Sequence, residues 1–275
     1  MKAERIKLKA NKPFHLSPTS IAVFKQCRQR YKYLYIDKLG TKFGKPRPYF
    51  TMANHVHSTL KELLLLQPVE IRNAAAAEEL LRKNWQRYRL GFRDIEEETR
   101  WMEKALAQLR IFVKTYDMNA QPMMMEEMVE AEISPGLVLR GRIDRVDKLP
   151  DGSLHIIDYK TGNMTGEIDW EQLELHALIL SKRLSWPVST ISYLYLDNSI
   201  IKTTNTSDAD LRKVHWRFLT VANTMRQEKQ FCASISSWCR DCDFISICPG
   251  KSEAQSSVPS TSQRELWNDQ ENNQG

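Results

Sequence analysis

The sequence predicts an α/β fold in which a mixed central sheet is flanked by helices, with a helical insertion ahead of the sheet. Three observations lead there. Stretches of strand character gather between Val129 and Leu196, and segments with apolar residues every three or four positions lie before, within and after them. The third is the composition: with 41% apolar and 27% charged residues among 275, a sizeable core is available and a mostly disordered chain is excluded. The longest all-aliphatic stretch, Leu63 to Leu66, falls far short of the ~20 residues of a membrane span. The first residues, MKAERIKLKANKPF, lack the apolar centre of a secretory signal, so a cytoplasmic protein with no membrane partner is expected.

The elements follow in order. Pro18, Thr19 and Ser20 precede Ile21, Phe24, Cys27, Tyr31 and Leu34, which predicts a capped amphipathic helix from about Ser20 to Tyr35 with Cys27 on its buried face. Gly40, Gly44, Pro46 and Pro48 read as loop. A helix is expected from Asn54 through Leu66, then two long helices from about Ala74 to Leu90 and Ile95 to Tyr116, together a helical insertion over 67–120. Val129–Ile133, Val138–Asp147 and Ser153–Tyr159 are predicted strands, the last two joined antiparallel through Pro150, Asp151 and Gly152. Trp170, Leu173, Ala177, Leu180 and Leu184 specify a core-facing helix, Thr190–Leu196 another strand, and Leu211, Val214, Phe218, Val221 and Met225 a final helix. One domain is expected over 1–250: a basic helix and loop at 17–48, a sheet and helix at 129–196 and a cysteine segment at 232–249. Ser, Gln and Asn dominate 251–275, where a disordered tail is expected.

Charge and motifs narrow the chemistry. Residues 1–48 hold 13 Lys/Arg against Glu4 and Asp37, while the rest of the chain holds 27 against 32 acids. A positive end on a mildly acidic body suits a polyanion such as nucleic acid, with Arg28, Arg30 and Lys32 as candidate contacts. Asp158 and Lys160 are two apart on a strand and share a face, while Tyr159 points the other way. Pairing through the Pro150 turn brings Asp144 beside Asp158. The two carboxylates offer the hard oxygen ligands that hold magnesium or manganese, and a divalent ion resolves their mutual repulsion.

Five cysteines occur, four of them between Cys232 and Cys248. The spacing Cys239-x2-Cys242-x5-Cys248 suits metal or cluster ligation in a reducing compartment better than a disulfide framework. A fourth thiolate has two sources, Cys232 nearby and Cys27 more than two hundred residues away. Four thiolates suit zinc or a [4Fe–4S] cluster alike.

From Ser17 to Pro249 the chain resembles the PD-(D/E)XK nuclease superfamily, specifically its RecB-like and CRISPR-associated exonuclease branch. The likeness rests on Gly141-Arg-Ile-Asp144, on Asp158-Tyr-Lys160, on His57, on Gln172-Leu173 and on Ser17, Ser20 and Cys27 with the closing Cys248-Pro249. It implies a restriction-endonuclease-like core whose His57, Asp144, Asp158 and Tyr159 backbone carbonyl hold Mg2+ or Mn2+. Lys160 would serve the transition state and Gln172 the strand being cut. It also implies a [4Fe–4S] cluster on Cys27, Cys239, Cys242 and Cys248, with zinc as the alternative, clasping the N- and C-terminal segments together. Ala53 stands where the family usually has glycine, and His176 where it usually has tyrosine.

The activity so implied is exonucleolytic cleavage of DNA, single-stranded or at ends, in repair or recombination. A CRISPR adaptation nuclease beside an integrase, and a non-catalytic DNA-binding or assembly subunit, are the alternatives. The chain has no Walker loop, so a helicase that fed it DNA would be a separate protein.

Overall fold

The computed structural model describes residues 12–164 and 166–257. They divide into two compact units, one formed by residues up to Ile21 with Pro46–Gln227, the other by Ala22–Lys45 with the chain from Glu228 onward. The basic segment and the cysteine segment, expected within the same domain as the sheet, make up the second unit. No described helix is long and apolar enough to cross a membrane.

The first unit is built on a mixed six-stranded sheet: β1 (Phe14–Leu16), β2 (Met124–Ser134), β3 (Leu137–Lys148), β4 (Leu154–Lys160), β5 (Val188–Tyr195) and β6 (Ile200–Asn205). β3 is its hub. One edge of β3 pairs antiparallel with β2 along nearly its whole length. The other edge pairs parallel with β1 at Leu137–Leu139 and antiparallel with β4 at Arg145–Lys148. β4 continues parallel into β5, and β5 antiparallel into β6. The parallel β4–β5 step is crossed by α7 (Glu171–Arg183), which packs on the sheet, and α8 (Asp208–Gln227) packs on α7.

The other face carries α4 (Pro48–Leu65), α5 (Ala74–Arg87) and α6 (Ile95–Thr115). Their apolar stripes, including Val56, Leu60, Leu81, Trp85, Leu109 and Phe112, meet Met125, Ile157, Tyr159 and Leu194 of the strands in one core. Asn73 caps α5 through the Ala76 N–H and Asp94 caps α6 through the Glu97 N–H, as their side chains and positions favour. α4 starts six residues before the predicted Asn54, because Pro48 suits a first helical turn that needs no N–H.

In the second unit the predicted continuous helix is broken. α1 (Pro18–Gln26) enters it, Cys27 is extended at φ −159°, and α2 (Arg28–Tyr31) then passes into a π-turn over Lys32–Ile36. A four-residue helix, α3 (Gly40–Phe43), lies within the predicted loop. Tyr31 stacks on Phe231 and meets Phe24 edge-on, Tyr33 packs on Phe244, and its hydroxyl donates to the Ile247 carbonyl. These contacts join the early and late stretches of the chain. The predicted tail starts later than its composition suggests, since Lys251–Ser257 form α9; residues 258–275 lie outside the described residues.

Candidate active site

The site begins as a gap in the sheet. Between β1 and β4, residues 140–144 of β3 have no strand partner on that edge among the described residues. Asp144 and Asp158 stand just beyond the last β3–β4 pair, and both are buried. The Asp144 carboxylate occupies the parting: its Oδ2 accepts the Tyr159 N–H at 2.8 Å, replacing the ladder bond the strands no longer make. Asp158 Oδ1 accepts from Gln172 Nε2 at 2.6 Å, and its Oδ2 lies 2.6 Å from Lys160 Nζ. Lys160 Nζ donates in turn to Gln172 Oε1 at 2.9 Å, which closes a triangle between β4 and the first turn of α7. The ammonium also sits 4.7 Å from the centre of the Tyr193 ring.

His57 reaches the gap from α4. Its Nδ1 lies 3.0 Å from Glu126 Oε1 and 3.4 Å from Asp144 Oδ1, and ligand atoms of the three residues lie within 4.8 Å of one another. Burial pulls the imidazole down, but the charges and hydrogen bonds of Asp144 and Glu126 outweigh it and raise its pKa to about 10. Burial first, and then the neighbouring Asp158 charge, push Asp144 up to about 6, partly offset by His57. Anionic oxygens crowded beside an imidazole form a donor set that fits a divalent cation.

Glu126 is the residue that sequence reasoning missed. Two other glutamates of β2, Glu130 and Glu132, are exposed and remote in register from Asp144, whereas Glu126 lies opposite it. It takes a left-handed backbone, φ +50°, inside a strand. That costs a non-glycine residue about 1–2 kcal/mol and has a visible effect. Met125 packs in the core with α4–α6, yet Val129, an even number of residues on, pairs with Gly141, which faces His176 of α7. The strand therefore exchanges its faces at Glu126. Regular alternation cannot reveal such an exchange from sequence.

The glycine of the Gly141-x-x-Asp144 pattern also has a reason. A Cβ at Gly141 would overlap the His176 imidazole. His176 is buried, neither ring nitrogen has a hydrogen-bond partner among the described residues, and burial lowers its pKa to about 4. It is a neutral packing group beneath the site. Gln172, one turn earlier, is the helix residue that touches Asp158 and Lys160. Arg140 and Arg142 are exposed, the latter 3.8 Å from Glu126.

In the second unit, Cys27, Cys239, Cys242 and Cys248 line one cavity with Arg30, Tyr33, Ile235 and Trp238; Cys232 is exposed and does not line it. The extended backbone at Cys27 is what interrupts the helix beside that cavity. The basic side chains have partners within this unit: Arg28 pairs with Glu228 at 2.6 Å, Arg30 donates to Gln26, and Lys32 pairs with Asp37 at 2.6 Å.

Two solved structures are among the known proteins similar to the chain. A crystal structure of a protein named SSO0001 is similar over 90% of this chain and 89% of that one, at 16% identity and a TM-score of 0.40. A candidate exonuclease from Eubacterium rectale is similar over 82% and 91%, at 13% identity and a TM-score of 0.43. No curated protein matches the chain. Residues 15–249, a span that takes in the sheet, His57, both aspartates, Lys160 and all five cysteines, match the sequence pattern of one family, and the chain belongs to it: the PD-(D/E)XK nuclease superfamily.

Proposed function

We propose that this chain is a divalent-metal-dependent deoxyribonuclease, an exonuclease of the RecB-like branch that acts on single-stranded DNA or DNA ends in repair or recombination. The observation that carries the reading is the convergence of His57, Glu126, Asp144, Asp158 and Lys160 on the gap beside β3. His57, Glu126, Asp144 and Asp158, with the Tyr159 carbonyl, would hold Mg2+ or Mn2+. Such an ion, when bound, polarises the scissile phosphate and lowers the pKa of an attacking water.

The remaining work falls to this chain's side chains. Lys160, oriented by Asp158 and Gln172, presents a cation toward the negative charge that develops on phosphorus. Gln172, bonded to both, keeps the ammonium from folding back onto Asp158 alone and positions the strand. The Tyr159 N–H holds the Asp144 carboxylate in the parting of the strands.

In the second unit, Cys27, Cys239, Cys242 and Cys248 would hold a [4Fe–4S] cluster. Their shared cavity supports this set over one that includes Cys232.

Purified protein should degrade end-labelled single-stranded DNA when magnesium or manganese is supplied and not in excess chelator. Asp158→Ala and Lys160→Ala should each remove most turnover with the fold intact by circular dichroism. Cleavage at the wild-type rate by either variant would overturn the assignment.

A further inference from the structure

We infer that Phe50 is a base-stacking platform that takes an unpaired nucleobase of the strand entering the site; this rests on the nuclease reading and deepens it. Phe50 is 60% exposed and its neighbour Tyr49 47%, on a helix whose other faces are in the core. Seven residues separate Phe50 from His57, so the two differ by only about 20° around α4 and by about 10 Å along it. Phe50, His57 and the half-buried Lys61 therefore form one stripe: an aromatic ring, a metal-site ligand and a cation. A strand whose phosphate lies at His57 and Asp144 passes along that stripe. At about 3.4 Å per stacked nucleotide, the ring meets the base roughly three steps from the bond that is cut.

The exposure is not that of a loose helix end. Thr51 Oγ1 donates to the Leu90 carbonyl at 2.6 Å, and one turn later His55 Nε2 lies 2.6 Å from the Tyr88 carbonyl, both side chains being buried. Gly91 packs so closely on the backbone of Arg47 that a Cβ there would collide with it, and its φ of +96° also favours glycine. The first two turns of α4 are thus fixed on one side and bare on the other. Tyr49 lies against Phe50, ring centres 4.4 Å apart, and steadies it. A rigid exposed ring beside a phosphate-cleaving site suits a base π-face, which every nucleotide offers regardless of sequence. The base must be unpaired to lie on it, so the platform selects single strands over duplex. A protein docked on the same stripe would cover His57 and obstruct the site.

The test measures binding, without metal, to a fluorescent oligothymidylate and to a duplex of equal length by anisotropy in excess chelator. Phe50→Ala and Phe50→Leu should each weaken single-strand binding about tenfold while duplex binding is unchanged, and Phe50→Trp should retain it. An abasic nucleotide scanned through the oligonucleotide should weaken wild-type binding at one position and the Ala variant at none. Wild-type affinity in Phe50→Leu would show that apolar area alone matters, as for a protein-docking face, and would overturn the inference, as would equal losses on single strand and duplex. Wild-type cleavage with magnesium is read separately. Cleavage with Phe50-independent binding overturns the platform and leaves the nuclease reading; Phe50-dependent binding without cleavage does the reverse.

Discussion

At the scale of single residues, the site depends on groups in costly states. Glu126 holds a left-handed backbone, and His57 is squeezed between two carboxylates. Glu126→Gln removes one anionic ligand and should weaken Mn2+ binding about tenfold or more, read by isothermal titration calorimetry. Unchanged affinity would exclude Glu126 from the metal site. His176 makes a different prediction. Its pKa falls from an ordinary 6.5 to about 4 because burial disfavours the charged ring, so below pH 6.5 the unfolded chain takes up a proton that the folded one refuses. Its contribution to stability is therefore complete above pH 6.5 and is lost as the pH falls toward 4, by up to about 3 kcal/mol. Urea titrations of wild type and His176→Phe across that range should show the decline in the difference between the two proteins, since Asp144, raised to about 6, acts in the opposite sense in both. An identical pH slope in the variant would mean that His176 is not buried neutral.

At the scale of elements, the basic segment is the one whose role binding can decide. The proposed DNA contacts Arg28, Arg30 and Lys32 have partners within their own unit; the Lys32–Asp37 pair is solvent-accessible and so weak and readily exchanged for phosphate, whereas Arg28 pairs with the largely covered carboxylate of Glu228. Neutralising all three should reduce the salt dependence of DNA affinity if they track the backbone. A slope equal to wild type would place them away from the nucleic acid. The same segment shows how far the sequence could be read. α7 and α8 were legible because their apolar residues repeat at helical spacing, and Asp144, Asp158 and Lys160 because strand alternation and a turn fix their faces. β1 has only three residues and carries no periodicity, and β6 is rich in β-branched residues at Ile200–Thr204 but lacks an alternating apolar face. Cys27 fits a helical repeat perfectly well. In the structure its backbone is extended beside the cavity that it lines with three cysteines from the far end of the chain, and such long-range proximity leaves no local trace.

At the scale of the whole molecule, the second unit joins stretches from both sides of the first in sequence. With a cluster on Cys27, Cys239, Cys242 and Cys248, anaerobically purified protein should be brown and contain iron and acid-labile sulfide in near-equal amounts. Cys27→Ser should lower that content and the thermal stability together, since ligand binding there is folding energy, while Cys232→Ser should change neither. Loss of the cluster in the Cys232 variant and its retention in the Cys27 variant would reverse the ligand assignment. The divided construction of this unit also sets an order of events during synthesis. Lys45 leaves the ribosome 183 residues before Glu228, an interval of roughly ten to forty seconds at bacterial-like elongation speeds. The sheet, with every residue of the gap beside β3, can close in that time, while Tyr31 and Tyr33 stay uncovered until Phe231 and Phe244 emerge. A chain cut short after Gln227 would hold a closed sheet yet lack the rings that pack on Tyr31 and Tyr33, leaving bare the kind of apolar surface that chaperones and proteases recognise.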